Sequence, residues 1–311
     1  MSNNTDKKIV ICGCTETGVD VLNYLLDHQI KIAYIVSLTE SQSIKYKVSG
    51  YCSFEDISKK YKIPIYYPKE YSLKTEDDLE FFNKNVFDIL ILGGWQRLIP
   101  EEILNTLKIG GIGSHGSSEL LPHGKGRSPV NWSLIEGKKR YILQLFLMTP
   151  GIDDGDIVDY DMCDINEWDT CRTLYYKISI LQKTMLKKLI PKLASGNFIR
   201  IPQKGESTFY PKRNPEDGLI NWNKTVFEIY DFIRALTKPY PGAFSYIEGN
   251  PIYMWKAQPF DTRLHYPYAQ KGEIVEKFPN GDFLINCKSG LLLVTEYDGQ
   301  INQGKVFTSN S

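Results

Sequence analysis

Residues 8–26, KIVICGCTETGVDVLNYLL, decide how the first half of the chain reads. KIVICG is apolar without alternation, the pattern of a strand covered on both faces. A glycine-bearing turn follows, and from Val19 to Leu26 the apolar side chains recur every three or four positions, which predicts a helix packed on that strand. The couple repeats outward: KIAYIV (31–36), IPIYY (63–67) and DILILGG (88–94) read as strands, with helices over Phe54–Tyr61 and Asp77–Lys84. Strand and helix in alternation predict an α/β fold with an open, mostly parallel sheet. A Gly/Ser-rich segment (110–128), a short helix (Pro129–Glu136), a strand YILQLFLM, the loop PGIDDGD and a strand reaching Cys163 come next. A long helix from Asp169 to Leu193 stops at Ser195-Gly196-Asn197, residues suited to the end of a helix.

Residues 1–196 therefore read as one catalytic domain. A connector, 197–220, rich in Pro, Gly, Lys and Asn, leads to a C-terminal region, 221–311. There a helix (Val226–Leu236) and the turn KPYPGA precede FSYIE, IYMWKA, GEIVEKF, DFLINC and LLLVTEY, with a hairpin turn at Pro279-Asn280-Gly281. These short runs predict a small, mainly antiparallel β-domain, OB-like if it closes into a barrel.

With 311 residues, 37 basic against 37 acidic side chains and no net charge, the chain lacks the electrostatic footprint of a general nucleic-acid binder. No apolar stretch approaches the roughly 20 residues of a membrane span. The polar start MSNNTDKK has no secretory pattern, so a cytoplasmic location is expected. Six cysteines form no CxxC pair and read as reduced, structural thiols, without a zinc site.

Three features bear on chemistry. GCTETG (13–18) lacks the GxGxxG spacing of a dinucleotide site and reads as a tight structural turn. His115 lies in GIGSHGSSELLPHGKGRSPVNW (111–132), at the end of a predicted parallel strand and the start of a glycine-rich loop, the edge where open α/β sheets place their sites. PGIDDGDI adds Asp153, Asp154 and Asp156 in a loop between two strands. A carboxylate that orients an imidazole suits acid–base work. Taken alone, a loop histidine is more often a surface or capping residue than a catalyst and an Asp-rich loop is usually a turn, while three carboxylates with one imidazole leave a divalent cation open.

His115-Gly116-Ser117, Leu120-Leu121-Pro122, Gly126-Arg127-Ser128-Pro129 and Gly151-Ile152-Asp153-Asp154-Gly155-Asp156 together resemble, in order and spacing, the 10-formyltetrahydrofolate-dependent formyltransferases. Trp222, IRALTKPYPGAF (233–244) and Trp255-Lys256-Ala257 extend the resemblance through most of the chain. It implies a Rossmann-like formyltransferase fold and acyl transfer from 10-formyltetrahydrofolate as co-substrate, with no metal. His115 would take the amine's proton, and Asp153 would orient and charge-balance it. The family's Asn, donor to the formyl oxygen, stands two residues before the His; that position is Gly113 here, and two residues, Ser118 and Glu119, are added nearby. Ser114, Ser117, Arg127 and the backbone are the candidate replacement donors, Ser117 being placed with the catalytic set. Gly93, Gly94, Trp95, Gln96, Arg97 and Leu98, with Asp153 and Asp156, are the implied folate contacts.

A neutral chain with only Lys125 and Arg127 in its catalytic loop does not suit tRNA. Phe209, Tyr210, Lys212 and Arg213 of FYPKR supply stacking rings and cations for a nucleoside diphosphate, and with Ser114, Gly116, Arg127 and Ser128 form the candidate substrate set. The combination looks most like the sugar N-formyltransferases, which implies a dTDP- or UDP-linked 4-amino-4,6-dideoxy sugar, a role in surface polysaccharide (O-antigen) synthesis, no nucleic-acid or membrane partner, and a homodimer. The alternatives are a methionyl-tRNA formyltransferase and a catalytically impaired folate or nucleotide-sugar binder.

Overall fold

The computed structural model describes residues 6–308. In chain order the elements are β1 (Ile9–Cys12), α1 (Glu16–Asp27), β2 (Tyr34–Val36), α2 (Glu40–Lys45), α3 (Glu55–Tyr61), β3 (Ile65–Tyr66), α4 (Glu76–Asn85), β4 (Ile89–Leu92), α5 (Glu101–Leu104) and β5 (Gly110–Ser117). There follow β6 (Lys125–Gly126), α6 (Pro129–Ile135), β7 (Arg140–Leu147), β8 (Ile157–Asp164), α7 (Cys171–Ser195), β9 (Phe209–Tyr210) and α8 (Val226–Leu236). The chain closes with β10 (Ala243–Ile247), β11 (Asn250–Asp261), β12 (Ile274–Lys277), β13 (Phe283–Cys287) and β14 (Gly290–Asp298). Two compact units result. The first takes residues up to Lys125 with Ile142–Cys163 and Lys177–Phe209; the second takes Gly126–Tyr141, Asp164–Tyr176 and the chain from Tyr210 onward.

The first unit is built on a seven-stranded sheet in the order β3-β2-β1-β4-β5-β7-β8. Strands β1 to β5 pair in parallel, as expected for strands joined by helical crossovers. All four residues of β1 are fully buried, which explains why its sequence does not alternate. Val21, Leu22 and Leu25 of α1 pack with Ile9, Ile11, Ile35 and Ile91 on one face of the sheet. Phe82, Phe87, Leu90 and Trp95 gather on the other. The GCTETG turn is steric in origin: a Cβ at Gly13 or Gly18 would lie 2.2 or 1.9 Å from the Gly93 carbonyl oxygen, so both must be glycine for the end of β4 to approach.

β5 is the main departure from the sequence reading. The Gly/Ser-rich start of segment 110–128 is an eight-residue strand, and His115 lies within it rather than at its end. Gly110–Ile112 pair in parallel with β4, while Ile112–Ser117 pair antiparallel with β7. Partners on both sides impose a strand on residues of poor β-propensity. Its glycines have a packing cause: a Cβ at Gly111 would sit 2.3 Å from Met148 Cε and one at Gly113 2.6 Å from Phe146 Cζ. The short helices α2 and α5 are also absent from the sequence reading. α2 is set by a capping box in which Thr39 and Gln42 satisfy each other's backbone amides.

In the second unit the sheet runs β10-β11-β14-β13-β12, all antiparallel. Bridges from Val306 to Glu273 and from Thr308 to Tyr246 tie the end of the chain to both margins of that sheet. Gly281, at φ +96°, makes the β12–β13 turn expected at Pro279-Asn280-Gly281. Helix α8 occupies the residues predicted for it, and its Arg234 is buried, bonded to Asp231 (2.6 Å) and to the carbonyls of Asn166 (2.8 Å) and Asp169 (2.7 Å).

Candidate active site

The first unit brings His115 and Asp153 together. They are 38 positions apart in sequence, and Asp153 Oδ2 lies 3.3 Å from His115 Nδ1. The imidazole is 7% exposed. Its other nitrogen, Nε2, donates to the Gly124 carbonyl at 2.8 Å, and Gly124 is held in turn by its amide, which donates to Thr208 Oγ1 at 2.8 Å. Both ring nitrogens thus face oxygen acceptors.

Asp153 is fixed by its backbone. It adopts φ +49°, a left-handed conformation that Asp tolerates better than most residues. Gln203 Nε2 donates to the carbonyls of Asp153 (2.7 Å) and Gly155 (2.8 Å), clamping the loop from outside. Gly155 admits no side chain, because a Cβ there would lie 1.5 Å from the Leu147 carbonyl oxygen. Asp154 accepts from the Thr149 hydroxyl, and the Asp156 carbonyl accepts from the Leu147 amide at 2.9 Å. Gln203, Gly124 and Thr208 carry no signal in the sequence, since each acts through a backbone or a lone side chain outside any motif.

Gly113 stands two residues before His115 on the same face of β5, directly opposite Phe146 of β7. The Phe146 ring fills the space a side chain at 113 would use and packs with Leu121, Ile157 and Met148. Ser114 points to the other face, where it accepts from Gln182 Nε2 at 3.1 Å. The Ser117 hydroxyl, fully buried, donates to the Glu119 carbonyl at 2.7 Å. It stabilises the rebuilt loop around Ser118 and Glu119. Gln144, opposite His115, braces the same loop by accepting from the Leu121 amide at 2.8 Å. Gly116 lies buried in β5.

The strand-end loop after β4 is also in this unit. Gly94 takes φ +80° against Thr15, whose Oγ1 would be 1.8 Å from a Cβ there. Trp95 is 6% exposed and belongs to the core cluster with Tyr71, so its ring is packed inward, with an indole N–H that has no partner. The Gln96 amide donates to the Tyr71 hydroxyl at 2.9 Å, and the exposed Arg97 guanidinium lies 4.7 Å from the Tyr71 ring centre. Gly93 closes the strand by donating to the Cys12 carbonyl, and Leu98 projects into solvent. Phe209 is exposed.

Arg127, Ser128, Tyr210, Lys212 and Arg213 belong to the second unit. Tyr210 stacks on Trp132 (5.7 Å between centroids) and donates to Glu136 at 2.9 Å. Arg213 lies against Trp132 (5.0 Å) and Phe232 (5.5 Å), and burial lowers its proton affinity. Ser128 takes φ +58° at the start of α6, and Arg127 bonds through its amide to the Tyr210 carbonyl. Among the described residues no group of three His, Cys, Asp or Glu is placed to hold a metal ion, and no helix is long and apolar enough to cross a membrane. No disulfide joins the six cysteines, and burial raises the thiols of Cys12, Cys14, Cys171 and Cys287.

Comparison with known proteins agrees with this geometry. Residues 7–190 match the "Formyl transferase" family model and residues 212–310 match "Formyl transferase, C-terminal domain". The chain is 33% identical over 283 residues to the bifunctional polymyxin resistance protein ArnA of Wigglesworthia glossinidia brevipalpis; that match takes 90% of this chain and spans 41% of the relative's length. Among solved structures it is similar to an N-formyltransferase from Helicobacter canadensis in complex with folinic acid and dTDP-3-aminofucose. That likeness has a TM-score of 0.69 at 20% identity and covers 94% of this chain and 100% of the other. WlaRD, a sugar 3N-formyl transferase with dTDP and 5-N-formyl-THF, matches with a TM-score of 0.69 at 21% identity over 96% of this chain and 100% of the other. At these identities the likeness establishes a shared fold. With both family models matched in order along one chain, and the histidine and aspartate of the site converging, the chain belongs to the formyl transferase family.

Proposed function

We propose that this chain is an N-formyltransferase that moves the formyl group of 10-formyltetrahydrofolate to the amine of a dTDP- or UDP-linked 4-amino-4,6-dideoxy sugar used in surface polysaccharide synthesis. The observation that carries it is the pairing of buried His115 with half-buried Asp153 at 3.3 Å on a formyl transferase scaffold. Two solved relatives of the same fold hold a folate together with dTDP or a dTDP-linked amino sugar.

In the reaction the amine nitrogen bonds to the formyl carbon, the bond from that carbon to the folate nitrogen breaks, the amine loses a proton and the folate nitrogen gains one. His115 is the group that holds and passes this proton at Nε2, and Asp153 balances its charge and fixes its ring plane. The cationic ring also faces the developing oxyanion, which matters here because Phe146 leaves no room for an amide donor at position 113. For the folate, the residues present fit a flat, polar heterocycle. The Trp95 indole N–H and Gln203 Oε1 are a buried donor and a buried acceptor without partners, one in the 93–98 loop and one beside the 153–155 loop. Gly93–Leu98 with Asp153 and Asp156 would hold it. Arg127, Ser128, Tyr210, Lys212 and Arg213 offer cations and a stacked ring pair for the nucleoside diphosphate.

The test is incubation with 10-formyltetrahydrofolate and a panel of dTDP- and UDP-linked 3-amino and 4-amino sugars, read by mass for gain of one formyl group. A gain with a 4-amino sugar that vanishes in His115→Ala supports the reading. A gain only with 3-amino sugars moves the acceptor position. Formylation of charged initiator tRNA with none of the sugars overturns the substrate class.

A further inference from the structure

Within the second unit, Ser128, Asn131, Arg213, Tyr240 and Gly242 line a cleft. Asn131 is 1% exposed. Its Nδ2 donates to the Ala235 carbonyl at 2.7 Å, and since a carbonyl only accepts, this bond fixes which way the amide points. The opposite atom, Oδ1, is buried and has no partner. A buried acceptor left unmade costs on the order of 1–3 kcal/mol, so it marks a place where a ligand donor completes the structure. Oδ1 is thus the atom that Asn131 leaves for a ligand donor.

Two further features of the cleft narrow the ligand. The Arg213 guanidinium is held against the rings of Trp132 and Phe232 and donates to the Asp217 carbonyl, which pre-positions a partly desolvated cation for an anionic group. Tyr240 and Leu236 provide flat and apolar surface, with the Tyr240 hydroxyl engaged by Tyr175 at 2.5 Å so that the ring is fixed.

We propose that this cleft takes the uracil or thymine ring of the nucleotide-linked substrate, with Asn131 reading its imide edge: Oδ1 accepts from N3–H, and Arg213 meets the phosphates. This rests on the nucleotide-sugar reading above and adds to it the atom that recognises the base. The experiment is calorimetric titration of the full chain with UDP and dTDP and with their N3-methyl derivatives, which keep every other group. N3-methylation is expected to weaken binding by at least about 10-fold. Asn131→Leu is expected to weaken the parent nucleotide equally while leaving the methylated one no weaker than before. If the N3-methyl nucleotides bind within twofold of the parents, the assignment of Asn131 is overturned and the nucleotide-sugar reading stands. If neither parent nucleotide binds, both fall. The ligand comparison uses unaltered protein, so it decides the matter even where Asn131→Leu does not fold.

Discussion

At residue scale the site turns on two contacts. In the proposed reaction His115 and Asp153 act as a unit, so Asp153→Asn removes the charge balance while keeping the side chain's shape; formyl transfer is expected to fall about 10²-fold to 10⁴-fold in a mass-based rate assay, with the melting temperature little changed. An Asp153→Asn enzyme that turns over at the normal rate would remove the pair from the mechanism. The second contact is Gly113 against Phe146. A side chain at 113 must displace a ring that is 5% exposed and packed on three neighbours, so Gly113→Asn alone is expected to destabilise by roughly 1–3 kcal/mol, measured by denaturant unfolding. Adding Phe146→Ala opens the space. The double variant is expected to recover part of the lost stability and to transfer formyl faster than Phe146→Ala alone, by up to about 10²-fold, because an amide donor then reaches the oxyanion. Sequence shows the missing Asn at once; that Phe146 fills its place is invisible there, since positions 113 and 146 meet only through the β5–β7 register.

Helix α8 shows how much of one element local chemistry sets. Thr225 caps its first turn by accepting from the Glu228 amide, and Glu228 reaches back to the Thr225 amide at 2.9 Å. Thr225→Ala is expected to cost about 1 kcal/mol in equilibrium unfolding. The Glu228 carboxylate is pulled down to about 2 from the ordinary 4.5, first by the Thr225 amide and then by the Lys224 ammonium and the Thr225 hydroxyl. Its folded value lies below its unfolded value, so its contribution is whole above about pH 4.5 and is lost as pH falls toward about 2. A pH series of unfolding midpoints should show this slope in the parent and not in Glu228→Gln. Helix α8 and its boundaries are legible in sequence because a 3.6-residue period is a property of neighbours in the chain. β5 is not, because three glycines in Gly110–Gly113 become strand only through partners on either side.

At the scale of the molecule, the compact units do not follow a single cut in the sequence. The second unit draws Gly126–Tyr141 and Asp164–Tyr176 to the chain beyond Tyr210. Within it Asn131 is tied to Ala235, Trp132 Nε1 to the Pro211 carbonyl at 3.1 Å, and Arg234 to the carbonyls of Asn166 and Asp169. A chain ending at Arg213 leaves those segments without their partners, so limited proteolysis is expected to cleave it within 126–141 and 164–176 at sites resistant in the full chain. Identical cleavage patterns would show that the first part folds independently. Sequence by itself determined the alternating α/β order, the helices with clear period and caps, the separate antiparallel region near the C-terminus, and the pairing of a histidine motif with an Asp-bearing loop. Each of these is written in local periodicity or in motif order. Tertiary structure alone decided that Phe146 occupies the place opposite Gly113, that Gly124 and Gln203 hold His115 and the Asp153 loop, that Trp95 packs inward, and that Asn131 is left with an unpaired acceptor. Those facts depend on strand register and on which distant segments share a face, and a chain of neighbours carries no record of either.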